Sequence, residues 1–178
     1  MRRRLSKGYV QIYTGSGKGK TTAALGQALR AAGDDLKTFV VMFMKDFSYG
    51  ELKSIEYLSK WIRLEQYGND AFVFRKQAPD KNDFKAAKLA FAQARQAMLS
   101  DKYDLVILDE VCVAIYYSLV KTEDILSLMA EKPKTVELIL TGRYCPPELM
   151  EKADLVTEMQ EIKHYFQKGV MARKGIES

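Results

Sequence analysis

Between Tyr9 and Thr22 the chain reads Tyr-Val-Gln-Ile-Tyr-Thr-Gly-Ser-Gly-Lys-Gly-Lys-Thr-Thr, and few folds accommodate such a stretch. A short apolar run with strand-like alternation stops at Thr14. Gly15, Gly17 and Gly19 then alternate with Ser16 and Lys18, and Lys20-Thr21-Thr22 opens an Ala-rich helix. Strand, glycine loop, Lys-Thr and helix in this order build a phosphate cradle. Glycines let successive backbone N–H groups turn toward one anion, and the helix N-terminus adds partial positive charge. Lys20 supplies a full charge, and the Thr21 hydroxyl is a ligand for Mg²⁺. The usual pattern, G-x-x-x-x-G-K-[ST], requires glycine where this chain has Thr14. The loop is one residue short, running from Gly15 to Gly19-Lys20-Thr21.

The 178 residues, 47% hydrophobic, suit one nucleotide-binding domain spanning 1–178, with a basic arm at 1–8 and a tail at 163–178. Cys112 lies in an apolar run and Cys145 in a loop before two prolines. Their spacing is neither that of metal ligands nor that of a redox motif, so both read as reduced cytosolic thiols. Met1-Arg2-Arg3-Arg4 is basic without an apolar segment behind it, and the uncharged run Val111–Val120 is half a membrane span. A soluble cytoplasmic protein is expected, with no membrane partner. The net charge of +5 is spread over lysines interleaved with acids, apart from the N-terminal arginines; it reads as a solvated surface rather than a nucleic-acid face, and anionic small-molecule substrates would also suit it.

Along the chain, periodicity alternates between strand and helix. Tyr9–Tyr13 reads as a strand and Thr21–Ala32 as a helix stopped by Gly33. Thr38–Met44 is a strand buried on both faces, followed by a loop from Lys45 to Gly50 that carries Phe47 and Tyr49. Glu51–Lys60 is a short helix and Ile62–Tyr67 a strand. Gly68–Lys81 is irregular; its Phe72, Val73 and Phe74 either receive a ligand or fold back on the core. Asp83–Ser100 is a long helix, and Leu105–Leu108, Val136–Leu140 and Leu155–Met159 are strands, with a helical turn at Pro146–Lys152 between the last two. Such alternation predicts a parallel sheet, with ligands beyond the C-terminal ends of its strands. The residues with chemical potential follow those ends: the loop, Lys45–Gly50, Asp109-Glu110 and Thr141-Gly142-Arg143.

Asp109 and Glu110 close a run of apolar residues, a position suited to holding Mg²⁺ opposite the phosphate loop. Glu110 is assigned to the metal and Asp109 to a supporting role, orienting water or Thr21. The planar fork of Arg143 suits phosphate oxygens, the alternative being a surface pair with Glu148 or Asp154. Arg30, on the first helix, is a further candidate for the nucleotide, although an arginine there is more often a surface residue. His164 is the only histidine, which rules out a multi-histidine site.

Thr14-Gly-Ser-Gly-Lys-Gly-Lys-Thr-Thr-Ala-Ala, Val106-Ile-Leu-Asp-Glu, Leu140-Thr-Gly-Arg and the tail from Asp154-Leu-Val-Thr-Glu-Met through Lys163-His164 to Gly175-Ile-Glu177 resemble the P-loop ATP:corrinoid (cob(I)alamin or cob(I)yrinic acid a,c-diamide) adenosyltransferases. The resemblance runs in the same order over nearly the whole chain. It implies a three-layer α/β fold of the P-loop NTPase, RecA-like, type with a mainly parallel central sheet. It also implies transfer of the 5′-deoxyadenosyl group of ATP to Co(I) of a corrinoid, with release of triphosphate. Co(I) is itself a strong nucleophile, so the enzyme has to stabilise the leaving polyphosphate and align C5′ with cobalt.

On this reading Lys20, Glu110 and Arg143 are catalytic, and Gly15, Ser16, Gly17, Lys18, Gly19, Lys20, Thr21, Thr22 and Arg30 bind ATP. Thr21 and Glu110 ligate Mg²⁺ or Mn²⁺, with Asp109 behind them. Phe72 and Phe74 face the corrinoid, although the position two residues beyond Phe74, where an aromatic partner is expected, holds Lys76. Members of the family present ATP reversed relative to ordinary P-loop proteins, which suits the shortened loop. A homodimer, a tail that helps close the site and a flavin-type reductant protein as partner also follow from the resemblance. Before the first strand there is only Met1–Gly8, where members often carry a longer segment. The competing readings are a P-loop phosphotransferase or ATPase, which would release ADP, and a RecA-like nucleic-acid motor subunit.

Overall fold

Thr38–Phe43 (β2) and Leu105–Asp109 (β4) have every residue buried, and they therefore lie inside a sheet covered on both faces. A computed structural model of the chain describes residues 4–46, 50–69, 71 and 78–177. The remaining strands are Val10–Thr14 (β1), Ile62–Tyr67 (β3), Glu137–Thr141 (β5) and Leu155–Glu158 (β6). They join in the order β3-β2-β4-β5-β1-β6. Every pairing is parallel, so the sheet exceeds the expected "mainly parallel". All strands therefore end on one edge.

Helix Lys20–Gly33 (α1) covers one face, and helix Lys81–Leu99 (α3) covers the other. Both bury alanines. Ala24, Ala28 and Ala31 of α1 meet Val40, Met42, Ile107 and Ile139, while Ala87, Ala90, Ala94 and Ala97 of α3 meet Phe39, Val41, Val106 and Leu108. Small side chains at helical spacing bring the helix axes close to the sheet, and the branched strand residues fill the interface. Gly50–Glu56 (α2) precedes β3 on the α1 face. Val111–Tyr116 (α4), Thr122–Glu131 (α5) and Pro147–Lys152 (α6) add Cys112, Ile125, Leu128 and Leu149 to the α3 face.

Boundaries differ from expectation where local chemistry sets them. The long helix begins at Lys81 because Asp80 accepts from the N–H groups of Asn82 and Asp83, while the Asp83 carboxylate accepts from the Asp80 N–H. This reciprocal capping box fixes the first turn ahead of the apolar pattern. The predicted helix Glu51–Lys60 stops at Glu56. The described part of the basic arm is anchored: Arg4 bonds Asp101, and the Gly8 N–H donates to the Lys134 carbonyl at 2.7 Å. A Cβ on Gly8 would lie 2.2 Å from the Val136 carbonyl oxygen, so the strand entry tolerates no side chain. The two cysteines, 33 positions apart in sequence, are both buried free thiols near one another, and the Cys145 thiol donates to the Pro146 carbonyl at 3.7 Å. No helix among the described residues is long and apolar enough to cross a membrane.

Leu138 is fully buried in β5, whereas Leu89 on α3 is 49% exposed. Leu138→Ala should cost about 2–5 kcal/mol, a fall in Tm of roughly 4–20 °C by calorimetry. Leu89→Ala should change stability by no more than about 0.5 kcal/mol. Equal losses at the two positions would contradict the layer assignment.

Candidate active site

The loop between β1 and α1 is shaped by contacts on its outer side as well as by its own torsions. Gly15 and Gly19 have φ of 95° and 118°, values that L side chains rarely adopt. The Gly17 N–H donates to the Met159 carbonyl at 2.6 Å, just beyond β6. Cβ atoms on Gly15 and Gly17 would lie 2.4 and 2.7 Å from that same oxygen. Thr14, which occupies the position of the usual first glycine, is the buried last residue of β1, and its carbonyl accepts from the Met159 N–H at 2.9 Å. It is held as strand, so the loop starts one residue later.

Gly19 caps α1 without a side chain, and no acid stands in the first turn. The N–H groups of that turn are thereby left to an anion. Lys20 is only 7% exposed, and its Nζ crosses the loop to donate to the carbonyls of Gly15 at 2.9 Å and Gly17 at 2.7 Å. Burial lowers its pKa, as does the nearby Arg143 cation, while Glu110 and Asp109 act in the opposite sense.

Across the sheet edge, Asp109 ends β4 and Glu110 follows it with φ 62°, in the left-handed region. That turn separates the two acids. Asp109 is 1% exposed; one carboxylate oxygen takes the Lys45 ammonium at 2.7 Å, and the other takes the Thr141 hydroxyl at 2.7 Å. Its described partners are thus Lys45 and Thr141 rather than Thr21. Glu110 lines the cleft instead, with Lys18, Lys20 and Thr21. Its pKa is raised, by burial first and then by the Asp109 charge, while Lys45, Lys20 and Arg143 pull it down.

The cleft has a volume of about 720 Å³. It is lined by Gly17–Thr22, Lys45, Glu110 and Arg143, by Glu51 and Ser54 of α2, and by His164 and Gly175–Glu177 of the tail. The tail is held by its own contacts. The Tyr165 hydroxyl and the Arg173 guanidinium both engage Glu177, whose carboxyl is held down to about 2, and Arg173 lies over the Tyr165 ring at 5.0 Å. The His164 Nδ1 accepts the Phe166 N–H at 3.0 Å.

The structure therefore brings together Gly17, Lys18, Gly19, Lys20, Thr21, Thr22, Glu110 and Arg143, and places Gly15 and exposed Ser16 in the adjoining loop. Asp154 accepts the Val10 N–H at 2.8 Å, and Arg143 lines the cleft, against the alternative of a pair between them. Arg30 is exposed in the last turn of α1, outside the cleft lining; ten residues beyond Lys20, it lies about 15 Å along the axis. Phe72 and Phe74 lie outside the described residues, as do Phe47 and Tyr49. Sequence reasoning placed the Lys45–Gly50 loop at the ligand edge without giving Lys45 a role, and it missed Glu51, Ser54 and the place of His164 in the lining. Only Lys45 carried a signal, as a cation two residues past a strand buried throughout.

The donors that face the loop are hard oxygens, the Glu110 carboxylate and the Thr21 hydroxyl. They suit Mg²⁺ or Mn²⁺ with the other positions taken by phosphate oxygens and water. Two outcomes follow. Gly15→Ala should abolish nucleotide binding in calorimetric titration, because the loop must leave Met159 to make room. Glu110→Gln should raise the Tm of the ligand-free protein at neutral pH, since it removes an ionised carboxylate that burial disfavours. A raised carboxyl pKa makes wild-type stability fall as pH climbs from the unfolded value through the folded one. The gain should therefore shrink on acidification and vanish near pH 4.5, the ordinary carboxyl value.

Comparison with known proteins gives the family. The family described as ATP:corrinoid adenosyltransferase BtuR/CobO/CobP matches residues 6–178. The corrinoid adenosyltransferase of Escherichia coli K12 is 33% identical over 172 residues, covering 96% of this chain and 86% of its own. The corrinoid adenosyltransferase CobA of Salmonella typhimurium is 34% identical over 173 residues, with the same coverage, and that of Pseudomonas aeruginosa is 31% identical over 172. Among solved structures, the flagellar accessory protein FlaH of Methanocaldococcus jannaschii superposes with a TM-score of 0.58 at 14% identity, covering 86% of this chain and 72% of its own, a likeness of fold alone. With its cradle, its acid pair and its tail all inside the matched segment, the chain belongs to the ATP:corrinoid adenosyltransferase family.

Proposed function

We propose that the cleft transfers the 5′-deoxyadenosyl group of ATP to Co(I) of a corrinoid, releasing triphosphate, in adenosylcobalamin biosynthesis or salvage. The observation that carries this reading is the convergence of Lys20, Arg143 and the first turn of α1 on one cleft, within the segment that the family matches. In the transfer, the electron pair of Co(I) forms the Co–C bond at C5′. The C5′–O bond breaks, and its electrons leave on triphosphate. Negative charge thus develops on the polyphosphate, where fixed cations and backbone donors stabilise the transition state more than the ground state. Lys18 and Lys20 hold the polyphosphate, and Arg143 takes its far oxygens in a fork. Mg²⁺ or Mn²⁺ on Thr21 and Glu110 would neutralise part of that charge, with Asp109 in support. Where they line the cleft, the tail and α2 exclude water and orient the nucleoside.

Phe72 and Phe74 are assigned to the corrinoid face on sequence alone. A homodimer is supported by the exposed apolar residues of β6 and the tail: Leu155, Val156, Ile162, Phe166 and Met171 are between 41% and 93% exposed. The protein is assigned to the cytoplasm, with a flavin-type reductant protein generating Co(I) and no membrane or nucleic-acid partner.

The test is incubation with MgATP and chemically reduced cobalamin. Triphosphate and a light-sensitive Co–C product are expected. ADP formed without corrinoid would instead identify a phosphotransferase or ATPase. Lys20→Ala and Glu110→Ala should each lower turnover at least about 100-fold, the order found when a transition-state donor is removed. Light scattering should give twice the 20.3 kDa chain mass.

A further inference from the structure

Glu110 is a non-glycine residue at φ 62°, a conformation that costs of order 1 kcal/mol or more and persists only where its surroundings hold it. A hydrogen bond holds it. The Glu110 N–H donates to the Thr141 Oγ1 at 2.9 Å. A hydroxyl has one proton, and that of Thr141 goes to Asp109 Oδ1 at 2.7 Å, which leaves its lone pair for the Glu110 N–H. The other Asp109 oxygen accepts from Lys45 Nζ at 2.7 Å. The order is therefore fixed in direction: Lys45 ammonium, Asp109 carboxylate, Thr141 hydroxyl, Glu110 amide. Thr141 is fully buried and Asp109 nearly so, where such bonds are strong and leaving one unmade is costly. The chain ties the ends of β2, β4 and β5 together. Gly142, at φ 134°, presses the exit of β5 onto α4, for a Cβ there would lie 2.9 Å from the Cys112 Cβ.

We infer that Thr141, braced by the Lys45–Asp109 ion pair, is a positioning residue that aims the Glu110 carboxylate at the metal–polyphosphate end of the cleft. The inference rests on the metal role proposed for Glu110. Asp109 is the brace in this arrangement, and Thr141 passes its orientation to the strained amide. Partners behind a metal ligand commonly matter 10–100-fold to affinity or activity.

The experiment measures, for each variant, the affinity for Mn²⁺–ATP and for ATP in EDTA, beside kcat. Thr141→Val, which keeps shape and loses the hydroxyl, should weaken Mn²⁺–ATP binding at least about 10-fold and leave metal-free ATP binding within about 2-fold. Thr141→Ser, which keeps the hydroxyl, should restore Mn²⁺–ATP affinity to within about 3-fold of wild type. Should the valine variant not fold, Thr141→Ala removes the same hydroxyl without adding bulk and is held to the same numbers. Loss of both affinities together would show a merely structural residue, and unchanged Mn²⁺–ATP affinity would show no role; either overturns the inference. A wild type that forms no adenosylated corrinoid, yet shows the selective loss in Thr141→Val, would refute the proposed reaction and leave the positioning role standing.

Discussion

The site depends on an electrostatic constraint at the C-terminal edge of the sheet. Lys20, Lys45 and Arg143 share that edge with Asp109 and Glu110, and the positive end of α1 points into the same space. Charges buried this far are held only where partners replace water. Asp109 has its partners in Lys45 and Thr141, and Lys20 has carbonyls of the loop. What remains is a surplus of positive charge facing the cleft, together with one carboxylate that burial disfavours. A polyanion carrying a divalent cation answers both. The shape of the protein around the edge serves this arrangement, since six parallel strands deliver all their ends to one side.

The same constraint places stability and chemistry in opposition at particular residues. Glu110 carries a positive φ and an unfavourable charge, and Lys20 keeps its ammonium among backbone carbonyls. None of these features helps the chain fold. They are carried by a core that is ordinary and well packed, with Ile12, Leu108, Leu138 and Leu140 fully buried beneath them. The adenosyl acceptor supplies its own nucleophilicity, so the rigid part of the enzyme is free to be built for a leaving group.

Much of this was legible in the sequence, and the reasons differ by residue. The glycine loop could be read because its torsions demand glycine, and β2 and β4 because burial on both faces leaves continuous apolar runs. Asp109-Glu110 was legible as a pair, but not the division of labour within it, which is set by a backbone torsion and by a hydroxyl 32 positions away. The strand order could not be read, since pairing is long-range and one parallel alternation permits several orders. The start of α3 was displaced by side-chain capping that hydrophobic periodicity does not record. Ser54 and His164 became site residues only through topology, and Arg30 was separated from the cleft by the length of α1. The nearness of the two thiols likewise arises because β5 and α4 exit side by side.

The seating of Gly17 on the Met159 carbonyl has a further consequence, for the order in which the protein becomes competent. Every residue of the phosphate loop belongs to the first 22 positions, yet the surface that shapes it arrives with β6 and the residue after it, some 137 positions later. A nascent chain that has already folded α1 against β2 still lacks the wall on which the loop rests. The described shape of the loop thus depends on β6 having docked beside β1, and a ligand seated in the loop would fasten those two strands to each other.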